Sequence, residues 1–203
     1  MTAPSMRARL AGALALLGAI ALAYANALAG PFQFDDYQVI VDNPQVHGLA
    51  AWWASMPGIR PLLKLSYALN WAASPSPRAF HAFNLIVHAA NVLLAWALAR
   101  HLLARLAPAI RPGPAAWFVA LLFALHPAAT EAVTYVSGRS VSLMALFYLA
   151  SMLAFLEGEK RGKGWLSRWL SPLLFALALG VRETALTLPV ALVLLAWFGG
   201  ATP

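Results

Sequence analysis

The sequence predicts an all-α fold: a polytopic bundle of about six transmembrane helices with interfacial helices in its first outer loop. Hydrophobic residues make up 62% of the 203 positions, charged residues make up only 10%, and the apolar residues are gathered into six runs. Soluble domains usually carry about 25% charged residues and about 45–50% apolar ones. Because a soluble fold of this size leaves about 30% of its surface in water, this composition excludes an ordinary cytosolic enzyme and a disordered tail.

The first apolar run extends from Leu10 to Ala29 and follows Arg7 and Arg9. Twenty helical residues cover about 30 Å, the thickness of the hydrocarbon core of a bilayer. A secretory signal peptide is the alternative, because residues 23–25 and 27–29 both resemble cleavage sites. We favour a membrane span, since several more apolar runs follow and a first helix needs no cleavage.

The apolar runs form a single membrane domain over residues 1–203. Its spans lie at about residues 10–29, 80–99, 115–130, 141–156, 166–181 and 185–198. If the third run ended at Pro127, it would be short for a membrane span. It must therefore continue past that proline, tilt, or lie against other helices. The polar stretch 157–164 closes the fourth span, and the last span ends at Gly199-Gly200.

The distribution of charge predicts how the chain is oriented. Segments 1–9, 100–111 and 157–169 hold nine of the 14 basic residues, so the positive-inside rule makes the N-terminus cytoplasmic. The acidic residues show the opposite bias, with five of seven outside: Asp35, Asp36, Asp42, Glu131 and Glu183. This placement indicates that the net charge of +7 sets the membrane orientation and interacts with anionic lipid headgroups, rather than binding nucleic acid. The absence of cysteine excludes a disulfide framework, a thiolate nucleophile and a cysteine zinc site.

The first outer loop, residues 30–79, contains two predicted interfacial helices. Apolar residues that include two indoles recur at helical spacing in the first: Leu49, Trp52, Trp53 and Met56. This pattern is typical of a helix that lies in the headgroup plane. The second begins at Arg60-Pro61, and Lys64 at its centre favours an interfacial helix over a further span.

Asp35 and Asp36 are the candidate catalytic residues, because they follow the first span closely and thus sit at the membrane surface. Flanking by Phe34 and Tyr37 partly desolvates such a carboxylate, which raises its proton affinity and improves it as a base. Two adjacent acids also let one hold a divalent metal ion or orient the other. The sequence contains no recognisable set of metal ligands and indicates no cofactor, so binding of a divalent metal ion stays an open possibility. The alternative is that either aspartate caps the helix that follows.

A polar stripe lies on one face of the second span. Its members are spaced by three, four and three residues, within an arc of about 80°: His81, Asn84, His88 and Asn91. Polar groups in a membrane helix face the protein interior or a wet cavity. We interpret the two deeper members, His88 and Asn91, as interhelical hydrogen-bonding groups. The two near the outer surface, His81 and Asn84, are candidate substrate-binding residues.

Two more polar groups lie between spans. The stretch 126–139 brings four polar side chains to one outer loop: His126, Glu131, Tyr135 and Arg139. An arginine there can bind a phosphate with two parallel hydrogen bonds. Snorkelling to the interface is the alternative for that arginine. Arg182 and Glu183 are isolated between apolar helices and cannot share a helix face, so each reaches its own partner or forms a structural ion pair. With Arg60, these residues complete the candidate substrate-binding set at the outer surface.

Several segments in order resemble one family: Phe-Asp-Asp-Tyr at 34–37, Asn-Pro at 43–44, Arg-Pro-Leu at 60–62, Phe-His at 80–81, and Leu-Phe-Ala-Leu-His-Pro at 122–127. Thr130-Glu131-Ala132-Val133 and Gly138-Arg139 continue the resemblance. The chain is similar to the membrane region of the transmembrane and tetratricopeptide-repeat O-mannosyltransferases, which are similar to the wider GT-C glycosyltransferase class. The resemblance runs from Phe34 to about Pro189, and no 34-residue repeat is present. We therefore expect an N-terminal portion or a shortened homologue.

The resemblance implies transfer of a sugar from a polyprenyl- or dolichyl-phosphate donor to an acceptor protein or glycan hydroxyl, with inversion, outside the cytoplasm. It further implies that Asp35 or Asp36 deprotonates the acceptor and that Arg60 and Arg139 lie near the donor phosphate. The family often shows Lys-Glu where this chain has Arg182-Glu183. The expected host is a bacterial inner membrane, because eleven arginines against three lysines favour bacteria, or the endoplasmic reticulum membrane in a eukaryote.

Two other functions remain open at this point. A transporter subunit would use the stripe from His81 to Asn91 as a polar path, but the acids cluster at the outer ends of the spans and no inverted repeat is found. A non-catalytic membrane assembly protein is the other alternative.

Overall fold

The computed structural model describes residues 5–55, 58–107 and 109–198, and within these ranges it holds helices and turns but no strand. The predicted all-α class is therefore confirmed. The α-helices of the described residues are α1 (Met6–Ala23), α2 (Leu49–Ser55), α3 (Pro61–Ala73), α4 (Pro77–Leu106), α5 (Pro112–Leu125), α6 (Ala129–Thr134), α7 (Arg139–Arg161), α8 (Ser171–Val181) and α9 (Leu188–Phe198). Short 3-10 segments are Ala25–Ala29, Pro44–Val46, Val136–Gly138 and Glu183–Thr187, and short π segments are Tyr37–Val41 and Leu166–Leu170.

Three helical stretches are long and apolar enough to cross a membrane: Met6–Ala23, Pro77–Leu106 and Val136–Arg161. Other helical stretches are also apolar but are shorter: Pro112–Leu125, Leu166–Val181 and Glu183–Phe198. The chain is an integral membrane protein. Met56 and the pair Gly199-Gly200, which entered the sequence-based predictions, lie outside the described residues.

Helix α4 is the centre of the bundle. It runs for 30 residues, about 45 Å of helix, and packs against α1, α5, α6 and α7. Pro77 in its first turn has the fixed φ that a helix start requires and needs no hydrogen-bond acceptor there. Helix α7 packs in turn against α8. The asparagines and histidines of α4 therefore face neighbours rather than lipid.

Two of those side chains join helices. The His88 Nε2 atom lies 3.0 Å from the carbonyl oxygen of Ala124 on α5, and Asn91 Nδ2 donates to the carbonyl oxygen of Ser142 on α7 at 2.8 Å. Both side chains are buried. The interpretation of His88 and Asn91 as interhelical hydrogen-bonding groups is confirmed.

The first outer loop packs onto the bundle instead of extending from it. Its buried residues share a cluster with the starts of α4 and α7 and with the end of α8: Ile40, Val46, Leu63, Tyr67, Phe80, Val87, Val136, Leu143 and Val181. Trp52 Nε1 donates to the carbonyl oxygen of Pro61 at 2.8 Å, which ties α2 to α3. The ring of His47 stacks on Trp71 with 3.9 Å between centroids. This packing gives the residues just after α1 a fixed position.

Candidate active site at the acidic end of the bundle

Three connecting segments meet at one end of the bundle, which we call the acidic end because it carries Asp35, Asp36, Glu131 and Glu183. The segment after α1 contacts residues 135–137 through three hydrogen bonds, and the start of α3 contacts the segment after α8 through an ion pair. Most of the sequence-predicted site residues lie in these segments. The opposite end is called the basic end, because Arg100, Lys160, Arg161, Lys163 and Arg168 surround it.

Asp36 is anchored inside the protein, with 1% of its surface exposed. One carboxylate oxygen, Oδ1, accepts hydrogen bonds from the backbone N–H of Ser137 at 2.8 Å and from its hydroxyl at 2.5 Å. The other, Oδ2, accepts the backbone N–H of Gln33 at 3.0 Å. The side chain does not cap the helical segment that follows. It fixes the first outer loop to the turn between α6 and α7.

Asp35 faces outward beside it. Its backbone N–H donates to the hydroxyl of Tyr135 at 3.0 Å, which positions the residue, while the side chain is exposed. Among the described residues, none makes a hydrogen bond or ion pair with the Asp35 carboxylate. The two adjacent acids therefore have different surroundings, one saturated by the protein and one open to a ligand.

The backbone at Phe34 sets up this divergence. Its φ of 44° lies in the left-handed region, which is strained for an aromatic residue and is found most often at functional sites. The phenyl ring is 83% exposed, and its edge meets the ring of Tyr135 with 6.4 Å between centroids. An exposed apolar ring thus stands directly beside the open carboxylate of Asp35.

Arg139 lies in the interior rather than at the surface, with 0% of its area exposed. Its Nε donates to Asn84 Oδ1 at 2.8 Å, and Nη2 donates to Asn70 Oδ1 at 2.8 Å and to the Phe80 carbonyl at 3.2 Å. Nη1 donates to the carbonyl oxygen of Ser66 at 3.2 Å. Every nitrogen of the guanidinium is thus occupied by the protein, so Arg139 holds α3, α4 and α7 together and is not accessible to a ligand phosphate.

Aromatic rings complete the surroundings of that guanidinium. Its Cζ atom lies 4.4, 4.9 and 5.2 Å from the ring centroids of Phe83, Tyr67 and Phe80. Cation–π attraction strengthens when the cation is removed from water. Burial also raises the pKa of Tyr67, so its hydroxyl stays neutral next to the arginine.

Asn84 and His81 are both buried at the start of α4. The hydrogen-bonding groups of Asn84 are all used within the protein. Its Nδ2 donates to the carbonyl oxygens of Tyr135 and Val136, at 3.2 and 3.4 Å, and its Oδ1 accepts the Nε–H of Arg139. His81 is 2% exposed, and neither ring nitrogen has a hydrogen-bond partner in the described part of the chain. A Cβ atom placed on Gly30 would lie 3.1 Å from its Nε2, so the imidazole lies directly under the loop that carries the aspartates.

Arg60 and Glu183 form an ion pair across the acidic end. Arg60 Nη2 lies 2.6 Å from Oε1, and Nε lies 3.1 Å from Oε2, the two parallel bonds typical of arginine and carboxylate. The hydrogen bonds from Arg60 lower the pKa of Glu183 to about 2, and they raise that of Arg60. Arg182 turns the other way, and its Nη1 donates to the hydroxyl of Ser140 at 2.9 Å. Each member of the Arg182-Glu183 pair has its own partner, as expected.

His126 and Glu131 lie at the same end, on the exposed surface. His126 Nδ1 accepts the backbone N–H of Ala128 at 3.1 Å, which closes the turn before α6. Glu131 lies in the first turn of α6, and in the described ranges its carboxylate has no hydrogen bond or ion pair. In those ranges no group of three or more histidine, aspartate or glutamate side chains is placed to hold a metal ion.

Sequence reasoning gave no role to three residues that organise this end: Ser66, Asn70 and Ser137. Ser66 and Asn70 are one helical turn apart on a largely apolar helix, a spacing that indicates a polar partner on that face. For Ser137 no comparable signal exists, because serine is an ordinary residue for a loop.

The chain is also similar in sequence to curated proteins. The chain is 35% identical over 182 residues to the protein O-mannosyl-transferase TMTC1 of Mus musculus, a match covering 79% of this chain and 19% of that protein. It is 30% identical over 190 residues to human TMTC3, covering 85% and 20%, and 32% identical over 186 residues to Drosophila melanogaster Tmtc2, covering 81% and 19%. This chain is a relative of the TMTC protein O-mannosyl-transferases.

The chain spans about a fifth of the length of these TMTC relatives. The predicted resemblance to the TMTC membrane region is confirmed. No family model matches the chain, and no solved structure matches it.

Proposed function

We propose that this chain forms part of a GT-C glycosyltransferase that moves a sugar from a polyprenyl- or dolichyl-phosphate donor to an acceptor hydroxyl, such as a protein serine or threonine. The proposal rests mainly on one observation: adjacent carboxylates at the acidic end diverge, Asp36 being anchored and Asp35 open. Similarity to protein O-mannosyl-transferases supports the same reaction class. In the proposed orientation the N-terminus is cytoplasmic and the acidic end is extracytoplasmic.

Asp35 is the proposed base. Its carboxylate takes the proton of the acceptor hydroxyl as that oxygen attacks the anomeric carbon of the donor sugar. The bond between this carbon and the lipid phosphate oxygen breaks, and the phosphate leaves with the electron pair, so the configuration inverts. A positioned base contributes about 10²–10⁴-fold in rate. Asp36 acts as a positioning residue, because its bonds to Ser137 fix the loop that carries Asp35.

Arg60 and Arg182 are two arginines of the acidic end that keep exposed surface, and we propose that they offset the charge of the leaving phosphate. Arg60 is held in place by Glu183, and its left-handed φ of 57° turns the chain at the start of α3. Arg139 has no donor to spare for a phosphate, so it serves as a structural anchor in this scheme. His126 and Glu131 are exposed at the acidic end and could contact substrate, whereas His81 is buried under the loop. The proposal gives none of the three a chemical step.

Transfer of radiolabelled sugar from a polyprenyl-phosphate donor, measured in membranes that contain the intact protein, tests this scheme. Asp35→Asn is expected to lose activity by about 10²-fold or more while donor binding and thermal stability are retained. Asp36→Asn is expected to lower both activity and thermal stability. Asp42→Asn, an exposed acid in the same loop, is the matched control. Wild-type turnover in Asp35→Asn would exclude this carboxylate as the base.

The contacts do not favour the transporter alternative. A polar path needs side chains with spare hydrogen-bonding capacity all along the stripe. His81 and the Oδ1 atom of Asn91 have such capacity in the described part of the chain. Between them, however, Asn84 and His88 bond to backbone carbonyls of neighbouring elements, and Asn91 Nδ2 bonds to α7. An assembly protein without catalysis would keep all its partners when Asp35 is replaced and would show no sugar transfer in the wild type.

A further inference from the structure

The basic end carries a groove of about 510 Å³ between α7, α4 and the segment that leads into α8. Its floor is apolar and is formed mainly by Leu94, Ala150, Leu153, Ala154, Leu170 and Leu174. The rim is formed by Arg161, Lys163 and Trp165, with Glu157. Because α4 and α7 both start at the acidic end, this groove lies at the far end of the bundle from Asp35.

The walls of the groove are fixed by two contacts of α7, one with the start of α8 and one with the segment before it. At α8 the Ser151 hydroxyl donates to the carbonyl oxygen of Ser171 at 2.8 Å. In the segment before α8, the backbone comes so close to Gly158 that an added Cβ would lie 2.8 Å from the nitrogen of Ser167. Ala150 and Ala154 of α7 line the groove with short side chains, which leave the space open. The groove is therefore a preformed feature of the packing.

The rim has an excess of positive charge. Four basic and two acidic residues lie between positions 157 and 168. Glu157 is already paired with His101 and Arg161, so it does not neutralise the rest. Lys163 makes no ion pair with a described residue, and the Arg168 guanidinium lies beside Gly164, with Nε 3.7 Å from a Cβ placed there. An anion above the groove would meet several cations at once.

Two exposed indoles lie in the segment after α7: Trp165, which lines the groove, and Trp169, four residues further on. The π-helical turn Leu166–Leu170 follows Trp165 and includes Trp169, and their exposed fractions are 58% and 76%. Single π turns are rare and occur frequently at functional sites. Exposed tryptophans are typical of the level of lipid headgroups. The indoles therefore indicate that the rim lies at the headgroup level and the floor lies in the acyl region.

We propose that this groove binds an anionic phospholipid of the leaflet at the basic end, with an acyl chain on the apolar floor and the phosphate against Arg161 and Lys163. The charge of the rim selects the anionic headgroup, because each basic residue near a membrane surface contributes roughly fivefold to binding of anionic lipid. The apolar floor distinguishes this occupant from a soluble phosphate. The site does not depend on the sugar-transfer scheme, which concerns the other end of the bundle.

Native mass spectrometry of the intact chain, equilibrated with equal amounts of phosphatidylcholine and phosphatidylglycerol, tests the proposal. Preferential retention of phosphatidylglycerol is expected. Lys163→Glu is expected to reduce that retention about fivefold or more, whereas Lys160→Glu, an exposed residue with the same change of charge outside the groove, is expected to reduce it less. Ala150→Phe fills the floor and is expected to abolish retention, and Ala176→Phe on the exposed face of α8 is its control.

Three results would overturn the proposal: equal retention of both lipids, equal effects of the two lysine variants, or unchanged retention in Ala150→Phe. Retention of polyprenyl phosphate in preference to phosphatidylglycerol at a site sensitive to Ala150→Phe would overturn the assignment to a bilayer phospholipid. Thermal melting of each variant establishes that it is folded. The exposed position of Lys163 keeps that arm of the test informative even if Ala150→Phe fails to fold.

Discussion

The carboxylate of Asp36 accepts both the backbone N–H and the hydroxyl of Ser137, a residue 101 positions further along the chain. These bonds connect the segment after the first helix to the turn between α6 and α7. They also give the two neighbouring aspartates different surroundings, since the Asp36 carboxylate is held by the protein while the Asp35 side chain is exposed.

Replacing Ser137 with alanine removes one of these bonds and leaves the backbone N–H in place. Hydrogen bonds to a charged group contribute about 1.5–3 kcal/mol, so we expect the free energy of unfolding in detergent to fall by about that amount. Sugar transfer is expected to fall with it, because the loop carrying Asp35 loosens. Ser76→Ala, at an exposed serine, is the control. An unchanged melting temperature in Ser137→Ala would show that the hydroxyl bond adds nothing.

Replacing Arg139 with methionine leaves the amide oxygens of Asn70 and Asn84 buried without their donors. Each unsatisfied buried acceptor costs about 1–3 kcal/mol, and removal of the buried charge offsets part of this, so a loss of about 2–4 kcal/mol is expected. Arg139→Lys is expected to recover little, since an ammonium group cannot reproduce the planar fork of donors. Thermal unfolding measures both, and Arg168→Met, at an exposed arginine, is expected to be neutral.

The Arg60–Glu183 pair predicts a dependence of stability on pH. Because the folded pKa of Glu183 is depressed to about 2 from 4.5, its contribution is complete above about pH 4.5 and is lost as pH falls toward 2. Both side chains are partly in solvent, so the effect is small and is screened by salt. Melting temperatures of wild type and Glu183→Gln are expected to differ at pH 6 and to converge near pH 2. A constant difference across this range would contradict the assignment.

Two glycines predict opposite outcomes of the same substitution. A Cβ on Gly138 would lie 2.5 Å from the carbonyl oxygen of Glu131, a backbone atom that cannot move without shifting α6. Gly138→Ala is therefore expected to destabilise the protein and to disturb the Asp36–Ser137 contact. Gly18, inside α1, has nothing within 4 Å of its added Cβ, so Gly18→Ala is expected to stabilise by about 0.5–1 kcal/mol. Chemical denaturation of the two variants compares them directly.

Orientation can be measured by labelling, because the chain has no native cysteine. Gln38→Cys, exposed near the aspartates, is expected to react with an impermeant maleimide added from outside the cell. Lys160→Cys, exposed at the basic end, is expected to react only after the membrane is opened. The reverse pattern would invert the proposed topology and remove the aspartates from the face at which sugar is transferred.

The fold class followed from the sequence because composition and apolar periodicity act over whole helices. The ends of elements were harder to place. The first apolar run continues to Ala29, whereas α1 ends at Ala23 and the remaining residues form a 3-10 segment. Hydropathy does not mark this change clearly, since Ala25–Ala29 is still mostly apolar and contains only one polar residue, Asn26.

The candidate site could be predicted only in part from the sequence. The sequence singled out Asp35 and Asp36 as a pair, yet their different surroundings depend on Tyr135 and Ser137, which lie about 100 residues away. Arg139 was placed near a ligand phosphate because an arginine beside a span is usually exposed at the interface. Its burial depends on partners from two other helices, Asn70 and Asn84, and no pattern within one segment encodes such a convergence.

The distance in sequence between Asp36 and Ser137 also sets an order of events during synthesis. At about 5–20 residues per second, Ser137 is made about 5–20 s after Asp36. During that interval the residues between them, which include α4 and α5, are synthesised while Asp36 still lacks its partner. The arrangement that turns Asp35 outward is thus completed late in biogenesis, when the turn before α7 emerges from the ribosome.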